Sequence, residues 1–189
     1  MSFGLKLKTA AGAEPVLLDQ FRRHTYFPPE DDAIATEKLA YARANVEGYL
    51  KRRLITQDWT VYFDRFAASL SLPIAPVQEV LEIRYRDESG ALQTLDGDSW
   101  LAFVNSEPAY VCAAVGSAWP STWLMPEAVE IDVRVGYGGS GDDVPRTICS
   151  AILREAASLF EYRESFMAGS GFSEVPGRFD DISGLIFHW

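Results

Sequence analysis

Residues 129–156 have the sequence VEIDVRVGYGGSGDDVPRTICSAILREA, which predicts a strand, a glycine-rich loop and a helix in that order. The first seven residues alternate between apolar and polar side chains, as a half-buried strand does. Pro145 suits the first turn of a helix, where its missing N–H would have no intrahelical partner. The loop contains GYGGSG (136–141), which matches the G-x-G-x-x-G pattern of dinucleotide-binding folds.

The neighbours of this loop argue against a dinucleotide site. In such a site the helix N-terminus holds a pyrophosphate, but Asp142 and Asp143 stand at that position and would repel it. A helix that ends near Arg163 leaves 26 residues, too few for the second half of a dinucleotide fold. The chain also has no GK[ST] sequence of a P-loop. We therefore predict a flexible strand-to-helix connector and no bound cofactor.

The composition argues against several classes of function. Lys and Arg total 17 against 27 Asp and Glu, which gives a net charge of −10 and disfavours a basic groove that grips nucleic acid. Cys112 and Cys149 lack metal-ligand spacing, so we expect them buried, reduced and without a disulfide. The sequence shows neither a signal-peptide pattern nor a membrane-length apolar run. We expect a soluble cytoplasmic protein that has no membrane partner.

Candidate catalytic or metal-binding groups are sparse. The two histidines, His24 and His188, lie near opposite ends of the chain, which leaves little for a catalytic triad. The acidic runs at 30–32, 142–143 and 180–181 are typical of helix starts and loops. The tryptophans, which could suggest sugar stacking, are expected mostly in the core or over sheet edges; they are Trp59, Trp100, Trp119, Trp123 and Trp189. We predict that the chain is not an enzyme and holds no metal.

Helical periodicity marks three segments, at 15–24, 31–53 and 144–163. Apolar residues recur at steps of three and four in the two longer segments, as on one face of a helix. The second segment carries Ala35, Leu39, Ala42, Val46 and Tyr49 in this way, and the third carries Ile148, Ile152, Ala156, Leu159 and Phe160. Because the alanines allow a close approach of two helices, we predict that these two helices pack on each other.

Between the helices the pattern changes to the period of two that is typical of strands. The predicted strands are 59–66, 79–87, 91–95, 109–115 and 128–135. The tetrapeptide DESG (87–90) predicts a hairpin, and further turn sequences suggest that successive strands are antiparallel neighbours.

These patterns together predict an α+β fold. N-terminal and C-terminal helices form a helical bundle, and a small antiparallel β-sandwich or barrel is inserted between them. We expect a flexible N-terminus at 1–14, a helical domain at 15–57 and 140–165, a β-domain at 58–139 and an extended C-terminal tail at 166–189.

The tail is rich in glycine over 168–177, so we expect mobility there in the free subunit. It then ends in an apolar cluster that is costly to leave in water: Phe179, Ile182, Leu185, Ile186, Phe187 and Trp189. The cluster can either fold back on the helices of its own chain or dock on a partner. We predict docking and keep the fold-back arrangement as the alternative.

The order of four segments carries a resemblance to a known family. The segments are GYLKRRLITQDWTVYFDRF (48–66), LSLPIAPVQEVLEIRYRDESGALQTL (70–95), AWPSTW (118–123) and VEIDVRVGYGGSGDDVPRTICSAILREAASLFEYRES (129–165). This order resembles the head-to-tail connector (adaptor) proteins of long-tailed bacteriophages and the related gene transfer agents. RRLITQDW (52–59) and VGYGGSGDDVPRTICSAIL (135–153) are its most specific parts, and it covers roughly residues 15–165.

The resemblance implies a structural role in a particle neck. About a dozen copies would form a ring below the portal protein, extend the DNA channel and offer a platform to a stopper or tail-completion protein. The implied partners of the apolar tail are the portal or a neighbouring copy, and duplex DNA would pass without tight binding. The alternatives are a tail-completion or stopper ring subunit, and a small carbohydrate-binding or enzymatic β-domain.

Overall fold

The computed structural model describes residues 3–161 and 179–188 and shows an α+β fold with two antiparallel sheets. The helices are α1 (Leu18–Thr25), α2 (Asp32–Leu50) and α3 (Arg146–Glu161), and 3-10 turns lie at Pro29–Asp31, Gly97–Ser99, Gly141–Asp143 and Asp180–Leu185. The strands are β1 (Phe3–Thr9), β2 (Gln57–Phe63), β3 (Ser69–Ser71), β4 (Val77–Arg86), β5 (Leu92–Thr94), β6 (Trp100–Phe103), β7 (Tyr110–Ala113) and β8 (Val129–Val135). The mobility expected at 168–177 lies outside the described residues.

The two long helices, α2 and α3, pack on each other as predicted. Their facing sides are buried and consist of Ala35, Leu39, Ala42, Val46 and Leu50 on α2 and Ile148, Ala151, Ile152 and Ala156 on α3. The buried Glu155 of α3 accepts a hydrogen bond of 2.8 Å from Asn45 Nδ2, which offsets part of the cost of burying a carboxylate. Helix α2 ends at Leu50 and not at 53, because Lys51 adopts a left-handed conformation with φ of 54°.

The larger sheet has five strands in the order β1-β2-β8-β4-β5, and the smaller has three in the order β3-β7-β6. All pairs are antiparallel, but the expectation that successive strands are neighbours holds only in places, since β8 lies between β2 and β4. Five of the seven residues of β8 are buried, so its backbone N–H and C=O groups need partners on both edges, and β2 and β4 supply them. The hairpin at 87–90 is confirmed by the pairing of β4 with β5.

Apolar residues of both sheets share one core cluster. It includes Val61 and Ile131 from the larger sheet and Leu70 and Val111 from the smaller. A second cluster lies among the helices. The short strands β3 and β6, of three and four residues, were missed from the sequence.

The expectation of a flexible N-terminus at 1–14 is wrong for residues 3–9, which form strand β1 along the free edge of β2. Its apolar residues Phe3, Leu5 and Leu7 are paired in register with Phe63, Val61 and Trp59. Such cross-strand pairs stabilise a sheet, and the backbone hydrogen bonds of β2 are completed at the same time.

A salt bridge holds β1 from the other face of the sheet. Lys8 Nζ lies 2.5 Å from Asp132 Oδ2, and Asp132 also accepts hydrogen bonds from Thr60 Oγ1 at 2.7 Å and from Arg84 at 3.0 Å. Asp132 is almost completely buried, so each of these partners offsets the cost of removing its charge from water. Residues 3–9 are therefore part of the sheet.

Candidate functional site

The apolar C-terminal cluster lies against its own chain. Ile182 and Phe187 are buried in the helical core, and Phe179, Leu185 and Ile186 are partly buried against it. Trp189 lies outside the described residues. In this structure the segment takes the fold-back arrangement, which was the alternative to docking. Docking of the same residues on the portal or on a neighbouring copy stays a prediction.

Specific contacts hold the segment in place. The N–H of Phe187 donates to the carbonyl oxygen of Leu50 at 2.9 Å, which uses a carbonyl that the end of α2 leaves free. The ring of Phe179 lies 4.9 Å from that of Tyr49, centroid to centroid. Arg154 of α3 forms a salt bridge of 2.7 Å with Asp181, although both side chains are largely in water and such a pair adds little stability.

Arg52 joins three parts of the molecule. Its Nε donates to the carbonyl oxygen of Leu185 in the C-terminal segment, and its guanidinium forms a salt bridge with Glu107 in the loop between β6 and β7. Nearby, burial raises the pKa of the Tyr137 hydroxyl, which keeps that group neutral beside the arginine. Phe187 contacts this region too, since it lines a small cavity with Ala75 and Glu107.

Sequence reasoning missed Arg52 and Arg154 as contacts of the segment, and it missed the role of Asp181 in the segment as the partner of Arg154. Their partners are distant in the chain: 133 positions separate Arg52 from Leu185. No periodicity links residues so far apart, so only the resemblance of the RRLITQDW stretch singled out the region of Arg52 at all. The apolar pattern of the segment was visible in the sequence, but it could not show which surface covers those residues.

The glycine loop between β8 and α3 is a tight joint and not the flexible connector expected. Gly136 has φ of 121°, and a Cβ atom there would lie 2.6 Å from the carbonyl carbon of Ile55. A Cβ on Gly141 would lie 2.4 Å from the carbonyl oxygen of Pro15. The glycines therefore allow backbone segments from three parts of the chain to approach each other.

A carboxylate of the joint occupies the position at the start of the helix where a bound phosphate would lie. The carboxylate of Asp143 accepts hydrogen bonds from Ser140 N at 2.9 Å and from Ser140 Oγ at 3.0 Å. The backbone on the other side is paired as well, with Thr56 N donating to Gly138 O at 2.8 Å. These contacts support a structural role for G-x-G-x-x-G in this chain and oppose the binding of an anion.

We expect Gly136→Ala to destabilise the subunit by at least about 1–3 kcal/mol, because it places a Cβ in a left-handed backbone conformation and against the Ile55 backbone. Thermal unfolding followed by circular dichroism measures the change. The matched control is Gly139→Ala in the same loop, where no atom lies within 4 Å of an added Cβ. Equal melting temperatures for the two variants would show that the joint is not tight in solution.

An open cleft of about 340 Å³ lies between α1 and α3 and contains Cys149. Burial raises the pKa of the Cys149 thiol, so the thiol stays protonated at neutral pH and is a poor nucleophile. Its Sγ lies 3.6 Å from the carbonyl oxygen of Pro15 and 3.8 Å from that of Gly141, which places it in the packing of the joint. The geometry of this cleft does not suggest a reaction.

Within 3–161 and 179–188 there is no group of three or more His, Cys, Asp or Glu side chains that could hold a metal ion. No helix in these residues is long and apolar enough to cross a membrane.

Comparison with solved structures gives a match over nearly the whole chain. A chain in the neck of an empty gene transfer agent particle, determined with sixfold symmetry, has a TM-score of 0.80 at 24% identity, covering 98% of this chain and 96% of that one. This chain has the fold of a chain from the neck of a gene transfer agent particle. A chain in the neck of a native particle with twelvefold symmetry gives 0.77 at 25% identity, and one in a native virion gives 0.76 at 25% identity, both with the same coverage.

The fold shared with these neck chains confirms the resemblance to connector proteins that the sequence shows. No protein-family model matches the sequence, and a search of curated proteins gave no match. The match extends beyond residues 15–165, since 98% coverage must include parts of the N-terminal or C-terminal residues as well.

Proposed function

We propose that this chain is a structural protein of a particle neck, a head-to-tail connector (adaptor) whose copies form a ring below the portal protein. The observation that carries the proposal is the match of fold over 98% of the chain to neck chains of gene transfer agent particles. The ring extends the DNA channel and gives stopper or tail-completion proteins a surface to bind. It belongs to the neck of a virion or gene transfer agent particle and is assembled in the bacterial cytoplasm, without a membrane partner.

Within each copy we propose a helical connector domain at 15–57 and 140–165 and an inserted β-domain at 58–139, with its two sheets packed as a small sandwich. Two separate core clusters, one among the helices and one among the strands, support this division. The pairing of β1 with β2 adds residues 3–9 to the β-domain. The salt bridge between Arg52 and Glu107 links the two domains.

Ring formation is supported by the twelvefold symmetry of one similar neck. In a closed ring each copy contacts its two neighbours through two different surfaces, a heterologous contact that rotation closes. An adaptor of this kind presents one end of the ring to the portal and the other to the next neck protein.

The acidity of the chain suits a channel through which DNA passes without being held. Twelve copies at −10 each would carry a charge of about −120, which repels phosphate. Replacing the exposed acids Glu30, Glu37 and Asp142 by lysine changes the net charge from −10 to −4, since each reversal adds two.

We expect the triple lysine variant to bind duplex DNA with an affinity that falls steeply as salt rises, whereas the parent chain shows no binding. Fluorescence anisotropy of a labelled duplex at low and moderate salt measures this. The matched control replaces the same three acids by glutamine, which gives −7 and adds no cation. If the parent chain binds duplex DNA at moderate salt, the proposal that DNA passes through the channel without being bound is wrong.

The C-terminal segment is proposed to contact the portal or a neighbouring copy in the assembled ring. Because Ile182 and Phe187 are buried in the chain's own core, the parts still open to a partner are the exposed side of the segment and the partly buried Leu185 and Ile186. Exposed His188 lies at the end of this surface.

We expect the thiol introduced by His188→Cys, in a chain with Cys112 and Cys149 replaced by alanine, to react with maleimide at least tenfold more slowly in assembled particles than in the free subunit. Mass spectrometry of the labelled chain measures both rates. Disassembled particles serve as the control and should regain the fast rate. Equal rates before and after assembly would show that this end of the segment has no partner.

The test of the function is removal of the gene in the particle-producing bacterium. We expect heads that are filled with DNA, or that leak it, and that carry no tails, with tails restored when the gene is supplied in trans. Electron microscopy counts the tailed fraction. Normal numbers of tailed particles without this chain would refute the proposal. A chain that is missing from the necks of purified parent particles would refute it equally.

A further inference from the structure

The five-stranded sheet ends in two edges, β1 on one side and β5 on the other. Among the described residues no strand pairs with the outer side of either one. An open edge offers unpaired N–H and C=O groups, and another chain can pair with them. Opposite edges of one sheet also point to opposite sides of the subunit, as the two contacts of a ring protein must.

The β1 edge is apolar and cationic. Leu5 and Leu7 lie on the core-facing side of the strand, yet they are 37% and 45% exposed because no strand lies beyond them. Lys6 and Lys8 lie on the other face. Lys8 is paired with Asp132, whereas Lys6 is exposed and has no acidic partner within the described residues.

The β5 edge is apolar and acidic. Leu92 is 47% exposed, and it lies on the face opposite the core because it pairs with Arg86, on the same side of the sheet as Asp132. Trp123, itself half-exposed, packs on the hairpin turn, where a Cβ added to Gly90 would lie 2.2 Å from its ring. Exposed apolar side chains therefore lie on β5 itself, at Leu92, and at the turn that precedes it, at Trp123.

Acidic residues flank β5 on both sides along the chain. Asp87 and Glu88 precede β5, and Asp96 and Asp98 follow it; the base nearby, Arg86, donates a hydrogen bond to Gly90 O. Hydrogen bonds from Ser89 and Gln93 hold the pKa of Asp87 at about 2, so this carboxylate is charged at any physiological pH. The two edges are therefore complementary in charge, and each carries exposed apolar residues.

We propose that the β1 edge of each copy lies against the β5 edge of its neighbour, so that the five-stranded sheets join edge to edge around the ring. The unpaired backbone groups of the two edges bond to one another, and Lys6 lies near the acidic hairpin at 87–90. This inference rests on the ring-forming function proposed above, and it identifies the surface through which a second copy of this chain is bound.

The directions of the strands agree with such a contact. Each neighbouring pair in the sheet is antiparallel, so β1 and β5, at positions one and five, run the same way. A rotation about the ring axis leaves the direction of a strand that runs along that axis unchanged, so β1 of one copy meets β5 of the next in parallel.

The contact also sets a size for the ring. Twelve sheets of five strands make 60 strands, and at roughly 4.8 Å between strands the sheets lie at least roughly 46 Å from the ring axis. Any tilt of the strands increases that radius.

Cross-linking in assembled particles tests the contact. One variant carries Leu5→Cys and Leu92→Cys, and the control carries Leu5→Cys and Leu101→Cys, where Leu101 is a similarly exposed residue on β6 at the edge of the smaller sheet. Cys112 and Cys149 are replaced by alanine in both variants. A short bismaleimide is added to particles, and the chain is separated by denaturing electrophoresis.

We expect a ladder of covalent multimers up to the complete ring for the β1–β5 pair, with at least fivefold less multimer for the control pair. Equal ladders for the two cysteine pairs would show that the edge-to-edge contact is wrong. The same holds if only monomer is seen while the necks retain the chain. Neither result would contradict the proposed function. Particles whose necks lack even the parent chain would overturn the proposed function and this inference together.

A charge-reversal pair gives a second readout that does not depend on cysteine. Lys6→Glu should lower the amount of chain retained in purified particles at least fivefold, and the double variant Lys6→Glu with Glu88→Lys should restore most of it. Both residues are exposed, so the melting temperature of the subunit should not change. A loss of chain in Lys6→Glu that Glu88→Lys does not repair would contradict the proposed pairing of these two edges.

Discussion

Replacing Ala42 with glutamate should destabilise the subunit by about 4 kcal/mol or more, or prevent its folding. Ala42 is completely buried where α2 meets α3, so the new side chain overfills the contact and brings a carboxylate into an apolar core. For a chain of this size the melting temperature should fall by roughly 8 °C or more. Thermal unfolding followed by circular dichroism measures the change, and the same result is expected for a charged residue at Ala156, which is also buried.

The matched control is Ala40→Glu, two residues earlier on the same helix. Ala40 is exposed, so the same substitution should change stability by no more than about 0.5 kcal/mol. If Ala42→Glu melts like Ala40→Glu, the packing of α2 on α3 is wrong.

Phe187→Ala should destabilise the free subunit by about 3–5 kcal/mol, the usual cost of removing a buried phenylalanine side chain. Phe187 is 1% exposed, and its backbone N–H is bonded to Leu50 O. The expected fall in melting temperature is roughly 6–20 °C. Faster hydrogen exchange at the amide of Phe187 should accompany it, because the segment loses its main apolar contact.

His188→Ala is the control, since His188 is the next residue and is exposed. It should leave the melting temperature almost unchanged. A Phe187→Ala variant as stable as the parent would mean that the segment is released from its own helices in solution. That result would favour the docking arrangement, in which the whole apolar cluster is available to a partner.

The C-terminal segment illustrates what a single sequence leaves open. The apolar residues at 179–187 showed that something must cover them, because exposed clusters of this kind are costly. Folding back and docking satisfy that requirement equally well, and the choice depends on a groove built from α2, α3 and Arg52, which are far away in the chain. For the same reason the sequence identified the apolar residues of the segment but not the residues that they contact.

Local patterns in the sequence were enough to determine the α+β class, the three helices, the β4–β5 hairpin and the apolar faces of α2 and α3. The reason is that residues three or four positions apart on a helix, or two positions apart on a strand, lie on the same face. The tertiary structure alone decided the strand order, with β8 between β2 and β4, and the pairing of β1 with the edge of β2. It also decided the tightness of the glycine joint, where Gly136 is needed because of the Ile55 backbone 81 positions earlier. These features depend on contacts between distant segments, whose energies do not appear in any local pattern.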